Sequence, residues 1–128
     1  MARKKIHLEY VLEGTTKGIV WDAISTPTGL EEWFADRVES DDKLITFHWG
    51  KTEQRQAEII AIRAFSYIKF RWLDSEYDKD IFELRMIEDE LTNDLILEVK
   101  ETAEPDEVDD HEELWESQIE TLRRIKGF

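Results

Sequence analysis

Thr15-Thr16-Lys17-Gly18-Ile19-Val20-Trp21-Asp22-Ala23-Ile24-Ser25-Thr26-Pro27-Thr28-Gly29-Leu30-Glu31-Glu32-Trp33-Phe34 holds two helix starts and one break. Ile19, Val20, Ala23 and Ile24 share one face at helical spacing, with Trp21 at its edge. Thr15 or Thr16 precedes them as an N-cap, because a hydroxyl satisfies a free N–H of the first turn. Pro27 and Gly29 interrupt this helix. Thr28 can cap a second, short one, whose apolar side is Leu30, Trp33 and Phe34.

Outward from this stretch the periodicity changes. Upstream, Ile6, Leu8, Tyr10 and Leu12 recur every second residue against His7, Glu9 and Glu13 on the other phase, which reads as a strand with one buried face that Gly14 ends. Downstream, Ser40-Asp41-Asp42-Lys43 reads as a turn, followed by a strand in which Ile45, Phe47 and Trp49 alternate with polar positions. A longer strand is expected from about Glu53 to Phe65; its centre, Ile59-Ile60-Ala61-Ile62, is apolar on both phases, so partial cover on both faces is expected. Ile68, Phe70 and Trp72, then Phe82, Leu84 and Met86, then Leu95, Leu97 and Val99 mark three further strands. Short polar links join them, which favours an antiparallel meander. From Asp109 to Lys126, Leu114, Trp115, Ile119, Leu122 and Ile125 form one helical stripe, with Arg123, Arg124 and Lys126 at the end where positive charge suits the dipole, and Gly127 as the stop. The fold class is therefore α+β: a curved antiparallel sheet of about six strands gripping a long C-terminal helix, with two short helices after the first strand.

Composition bounds the function. The 128 residues suit one domain, 1–128, able to bury about two thirds of its unfolded surface. Asp and Glu number 31 against 17 Lys and Arg, a formal charge of -14, so a phosphate backbone or an anionic membrane surface would be repelled. Neither nucleic acid nor membrane insertion is expected, since no apolar run reaches membrane length. The basic start, Met1-Ala2-Arg3-Lys4-Lys5, leads into an alternating strand instead of an apolar signal core, so a cytoplasmic location is expected. Cysteine is absent, which removes disulfides, thiolate nucleophiles and zinc–thiolate sites. Five Trp and six Phe imply an aromatic core or a pocket walled by rings.

Three segments carry a family likeness: Val20-Trp21-Asp22-Ala23-Ile24 with Pro27, Leu30 and Trp33-Phe34; Ile68-Lys69-Phe70-Arg71-Trp72; and Leu114-Trp115 with Leu122. With the element order, they resemble the helix-grip fold of the START-like superfamily, which also contains the birch-pollen-allergen proteins. The nearest likeness is to the branch of the heat-shock-protein ATPase activator homologues. Asp41-Asp42-Lys43 stands where that branch often has a glycine pair, and Thr15-Thr16 where it has a proline. The resemblance implies a sheet curved around the last helix, with ligands between the two. Trp115, Ile119 and Leu122 would then face the hollow from the helix, Trp33 and Phe34 would guard one mouth, and Trp72, Phe82 and Met86 would belong to the sheet side. The same residues would equally fill a closed core.

No catalytic constellation declares itself. His7, His48 and His111 lie on separate elements without metal spacing. Asp74, Glu76, Asp78 and Asp80, and the run Asp106, Glu107, Asp109, Asp110, Glu112 and Glu113, read as solvated charge, and no metal or cofactor is implied. Glu83 and Glu98 sit on the polar phase of their strands, and Arg71 between Phe70 and Trp72 reads as a surface arginine. The expected function is a binding module for a small hydrophobic, lipid-like molecule. The alternative is a protein-interaction or chaperone-regulating module with a protein partner, and the third reading is a cyclase- or hydratase-type enzyme.

Overall fold

Strand β1 (Lys4–Leu12) is followed by helices α1 (Lys17–Ser25) and α2 (Pro27–Glu31) and by strands β2 (Arg37–Asp41), β3 (Leu44–Trp49), β4 (Glu53–Arg63), β5 (Tyr67–Trp72), β6 (Ile81–Glu88) and β7 (Leu95–Ala103). A 3-10 turn at Pro105–Glu107 leads into helix α3 (Val108–Lys126). The structure is a computed structural model and describes residues 3–73 and 80–127. The strands form one seven-stranded sheet in the order β1-β7-β6-β5-β4-β3-β2, with every neighbouring pair antiparallel.

Alternation sorts the side chains between two faces. The inner face carries Leu8, Leu97, Leu84, Phe70, Phe82 and Phe47, and α3 lays Trp115, Ile119 and Leu122 against it. Phe47, Phe70, Phe82, Leu84, Leu97, Ile119 and Leu122 are fully buried, so the space between the sheet and the middle of α3 is filled. Each such side chain contributes roughly 1.5–3 kcal/mol by leaving water. The outer face is charged. Register places Lys69 opposite Glu83, Glu83 opposite Lys100, and Arg85 opposite Glu98, giving alternating signs across β5, β6 and β7.

The seventh strand is β2. The sequence reading joined it to a turn, because Val38 is its single buried residue and one apolar position has no period. The turn itself is shorter, with Asp42 in the left-handed region at φ 55°. The second helix is capped by Thr26, not Thr28: Pro27 occupies the first helical position, and Thr26 Oγ1 accepts from the Gly29 N–H at 2.9 Å. Ile60 and Ile62 are 43% and 53% exposed, against the expectation of cover on both faces. A bulge between Ile59 and Ala61 shifts the register there, and the side chains of Ile60 and Ile62 stay open to solvent. On α3 the buried stripe narrows to Trp115, Ile119 and Leu122, while Leu114 and Ile125 are at least half exposed.

Candidate ligand-binding cleft

At one end of the grip the sheet outruns its apolar filling. An open cleft of about 460 Å³ lies there, between the Glu31–Asp36 segment, the start of β4 and the first half of α3. That volume is in the range of small-molecule sites. Its walls are Trp33, Phe34, Trp49, Trp72 and Trp115, so four of the five tryptophans meet at one place.

Indole N–H groups fix these walls. Trp33 donates to the carbonyl of Ala23 at 2.8 Å, tying the end of α2 to α1. Trp49 donates to the carbonyl of Phe34 at 2.8 Å, and the Gln118 amide donates to the same oxygen at 2.9 Å. The Phe34 backbone is thereby held by both β3 and α3. Its ring stacks on Phe82 with centroids 5.6 Å apart and tilts against Trp115 at 5.5 Å.

Two polar side chains enter from the sheet. Arg55 lies on the inward phase of β4, two residues before buried Ala57, with its guanidinium 3.9 Å from the centre of the Trp72 ring. Glu101 lies on the inward phase of β7, beyond Leu97 and Val99, and pairs in register with Ile6 and Phe82. It is 8% exposed. Its Oε2 accepts from the Trp115 indole at 2.7 Å and lies 3.1 Å from His111 Nδ1. His111 Nε2 lies 3.5 Å from Glu107. The hydrogen bond to Glu101 raises the His111 pKa above its ordinary value against the burial that lowers it, and Glu107 adds to the rise. An imidazole gripped between two carboxylates can hold a proton at the wall of the cleft and offer it to a bound group. The acidic residues Glu31, Glu32, Asp36 and Glu53 also line the cleft.

Of the eight ligand-contact residues expected from sequence, Trp33, Phe34, Trp72 and Trp115 line this cleft. Phe82, Met86, Ile119 and Leu122 do not; they are buried beneath it in the core. The sequence reading missed Trp49, Arg55, Glu101 and His111. A signal for two of them exists: continuing the apolar phase of β7 from Leu95, Leu97 and Val99 lands on Glu101, and running back from Ile59 and Ala57 in β4 lands on Arg55.

The other polar groups lie elsewhere. Glu83 and Glu98 are on the outer face among Lys69, Arg85, Lys100 and His7. His7, Glu9 and Glu98 have ligand atoms within 4.8 Å of one another, although the histidines His7, His48 and His111 were read as lacking metal spacing among themselves. Pairing β1 with β7 brings them together, yet Lys100 and Arg85 share Glu98 and oppose a further cation there. Arg71 pairs with Glu58 at 3.3 Å on the outer face. Asp74, Glu76 and Asp78 lie outside the described residues, whereas Asp80 is buried and paired with Arg3. Among the described residues, no helix is long and apolar enough to cross a membrane.

Comparison with known proteins agrees with this architecture. The chain is 61% identical to BfR322 from Bacteroides fragilis, over 100% of its own length and 94% of that chain, with a TM-score of 0.68. The Aha1 dimer from Colwellia psychrerythraea aligns over 93% of this chain and 92% of its own, at 11% identity and a TM-score of 0.75. CalU16 from Micromonospora echinospora aligns over 94% and 74%, at 16% identity and a TM-score of 0.72. The last two likenesses are of fold alone. No match is found among curated proteins. The model of the START-like superfamily domain matches residues 1–128. With the seven-stranded antiparallel sheet closed over its last helix, that match makes the chain a member of the START-like superfamily.

Proposed function

We propose that the protein is a binding module for a small, mainly apolar molecule, held in the cleft beside α3 and not deep between α3 and the centre of the sheet. The observation that carries this reading is the meeting of Trp33, Phe34, Trp49, Trp72 and Trp115 around about 460 Å³ of open space. Rings held by hydrogen bonds to fixed carbonyls form a wall already shaped before the ligand arrives, which lowers the ordering cost of binding. A protein-interaction role draws support from the overall negative charge and from the fold likeness to the Aha1 dimer, neither of which names a contact surface. An enzymatic role draws support from the His111–Glu101 pair alone.

The test is titration of purified protein with a neutral fluorescent probe, N-phenyl-1-naphthylamine, alongside native mass spectrometry. Saturable binding of one probe per chain is expected, weakened several-fold by Trp49→Ala and unchanged by Leu91→Ala in the exposed β6–β7 turn. Absence of saturable binding, or equal binding by both variants, removes this reading.

A further inference from the structure

Resting on that binding role, we infer that the cleft selects organic cations: molecules with an apolar or aromatic body and an ammonium or amidinium group met by the free oxygen of Glu101. Four observations converge on this class. Glu101 is more than nine-tenths buried, in register with apolar Ile6 and Phe82. A carboxylate in that setting is costly unless its oxygens are engaged. Both of its internal contacts, from Trp115 and His111, fall on Oε2. Oε1 takes no partner from the described residues, and Glu101 lines the cleft. One oxygen of this carboxylate, open to the cleft, is therefore left for whatever occupies the space.

The walls favour the same charge. Electron-rich ring faces attract cations, Trp most strongly. Arg55 already places its guanidinium 3.9 Å from the centre of Trp72, so one ring of this cleft holds a cation in the fold itself. Around the opening stand Glu31, Glu32, Asp36 and Glu53, against Arg55 as the one permanent positive charge lining it among the described residues. Some of these rim carboxylates are engaged: Glu31 accepts from the Val38 N–H, Asp36 from the Gly50 N–H, and Glu32 pairs with Lys126. They keep their charge all the same, and the chain's -14 extends the field outward. An anionic head group would meet repulsion at the mouth and again at Glu101. A cationic one is attracted at both.

His111 sets how strong the attraction is. It faces Glu101 from β7 and Glu107 from the turn before α3, and Arg55 and Glu53 of β4 line the same cleft. A protonated imidazole neutralises part of the Glu101 charge. As pH rises through the raised His111 pKa that proton leaves, and the carboxylate is left for the ligand.

Three probes with one chain length separate charge from apolarity: decyltrimethylammonium, decanol and decanoate, each below its aggregation threshold, titrated calorimetrically at physiological salt. Decyltrimethylammonium is expected to bind roughly tenfold tighter than decanol, with decanoate weakest. Glu101→Gln and, independently, Glu53→Gln should each reduce that preference and leave decanol unchanged. Glu90→Gln, an equal charge change in the remote β6–β7 turn, should leave all three unchanged. Raising pH through the His111 range should tighten the ammonium probe alone. Equal affinities for the three probes overturn cation selection while leaving an apolar binding cleft. An effect of Glu90→Gln matching that of Glu53→Gln reduces the preference to net charge and overturns it too. Failure of every probe to bind removes both proposals. Should Glu101→Gln fail to fold, the Glu53→Gln arm and the pH arm still decide the matter.

Discussion

The indole nitrogen of Trp115 and Oε2 of Glu101 are 2.7 Å apart, and that bond joins the first half of α3 to the end of β7. It reconciles two residues that are each awkward to bury: an indole that needs an acceptor and a carboxylate that needs donors. Trp115→Phe keeps most of the ring and deletes the donor, so it should cost about 1–3 kcal/mol, the range for stranding a buried acceptor. Trp115→Ala removes the ring as well and should cost ~3–5 kcal/mol. Urea unfolding followed by circular dichroism measures both. An unchanged midpoint for Trp115→Ala would refute the burial of that ring.

His111 gives stability a pH dependence of known sign. Its folded pKa is raised above 6.5 by Glu101 first and Glu107 second, against burial. Its contribution is then fully present below the unfolded value and is lost as pH rises through the folded one. In His111→Asn this contribution is gone at every pH. The stability gap between wild type and variant should therefore be widest below about pH 6 and shrink as the solution is made alkaline. Thermal melts of both proteins across that range give the answer, and a gap that widens with pH contradicts the pairing.

The corner between α1 and α2 leaves no space at Gly29. A Cβ there would run into the carbonyl of Asp22 and lie 2.8 Å from Thr26 Oγ1 and 2.9 Å from Ala23 Cα. Gly29→Ala must therefore push the helices apart and should lose about 1–3 kcal/mol or more. Thr26 holds the same corner from both sides, donating its hydroxyl to the Asp22 carbonyl at 2.8 Å and accepting from the Gly29 N–H at 2.9 Å. Thr26→Ala should cost ~1 kcal/mol and Thr26→Ser much less. Since Trp33 hangs its indole on Ala23, loosening this corner should also reduce affinity for an apolar probe in the cleft.

The grip itself is legible in the residues. Period-two runs such as Ile68-Lys69-Phe70-Arg71-Trp72 fix which side chains face inward, and the stripe of Trp115, Ile119 and Leu122 fixes what they face. What alternation could not show is where along each strand the filling stops. Phe82 and Leu122 look as suited to a ligand as Trp72 and Trp115, because all four lie on inward or helical phases. Only the offset of α3 along the sheet separates core from cleft, and that offset is a long-range property. Glu101 and Arg55 were not singled out, because a charged residue breaks the apolar alternation that marks an inner face. Both belong to the inner phase, at strand ends where the interior opens to water. His111 gave no signal by itself. Its partner Glu101 sits on another element and meets it only once α3 has folded back.

The outer face makes the complementary acid-side prediction. Glu98 lies among His7 at 2.8 Å, Lys100 at 3.4 Å and Arg85 at 4.0 Å. Burial pushes its pKa up, but the hydrogen bond from His7 and the Lys100 charge outweigh it and hold the carboxyl below its ordinary value. A carboxylate of this kind contributes stability above its unfolded pKa of 4.5, and the contribution disappears as pH falls through the lower folded value. Glu98→Gln should therefore be destabilised near neutrality, where three positive or protonatable neighbours lose their counter-charge. The variant should approach the wild type as the solution is acidified below about pH 4. Chemical unfolding at neutral and acid pH tests this directly. A gap of constant size across that span would mean that the glutamate acts through packing alone, and that the row of alternating charges across β5, β6 and β7 does not depend on its ionised form.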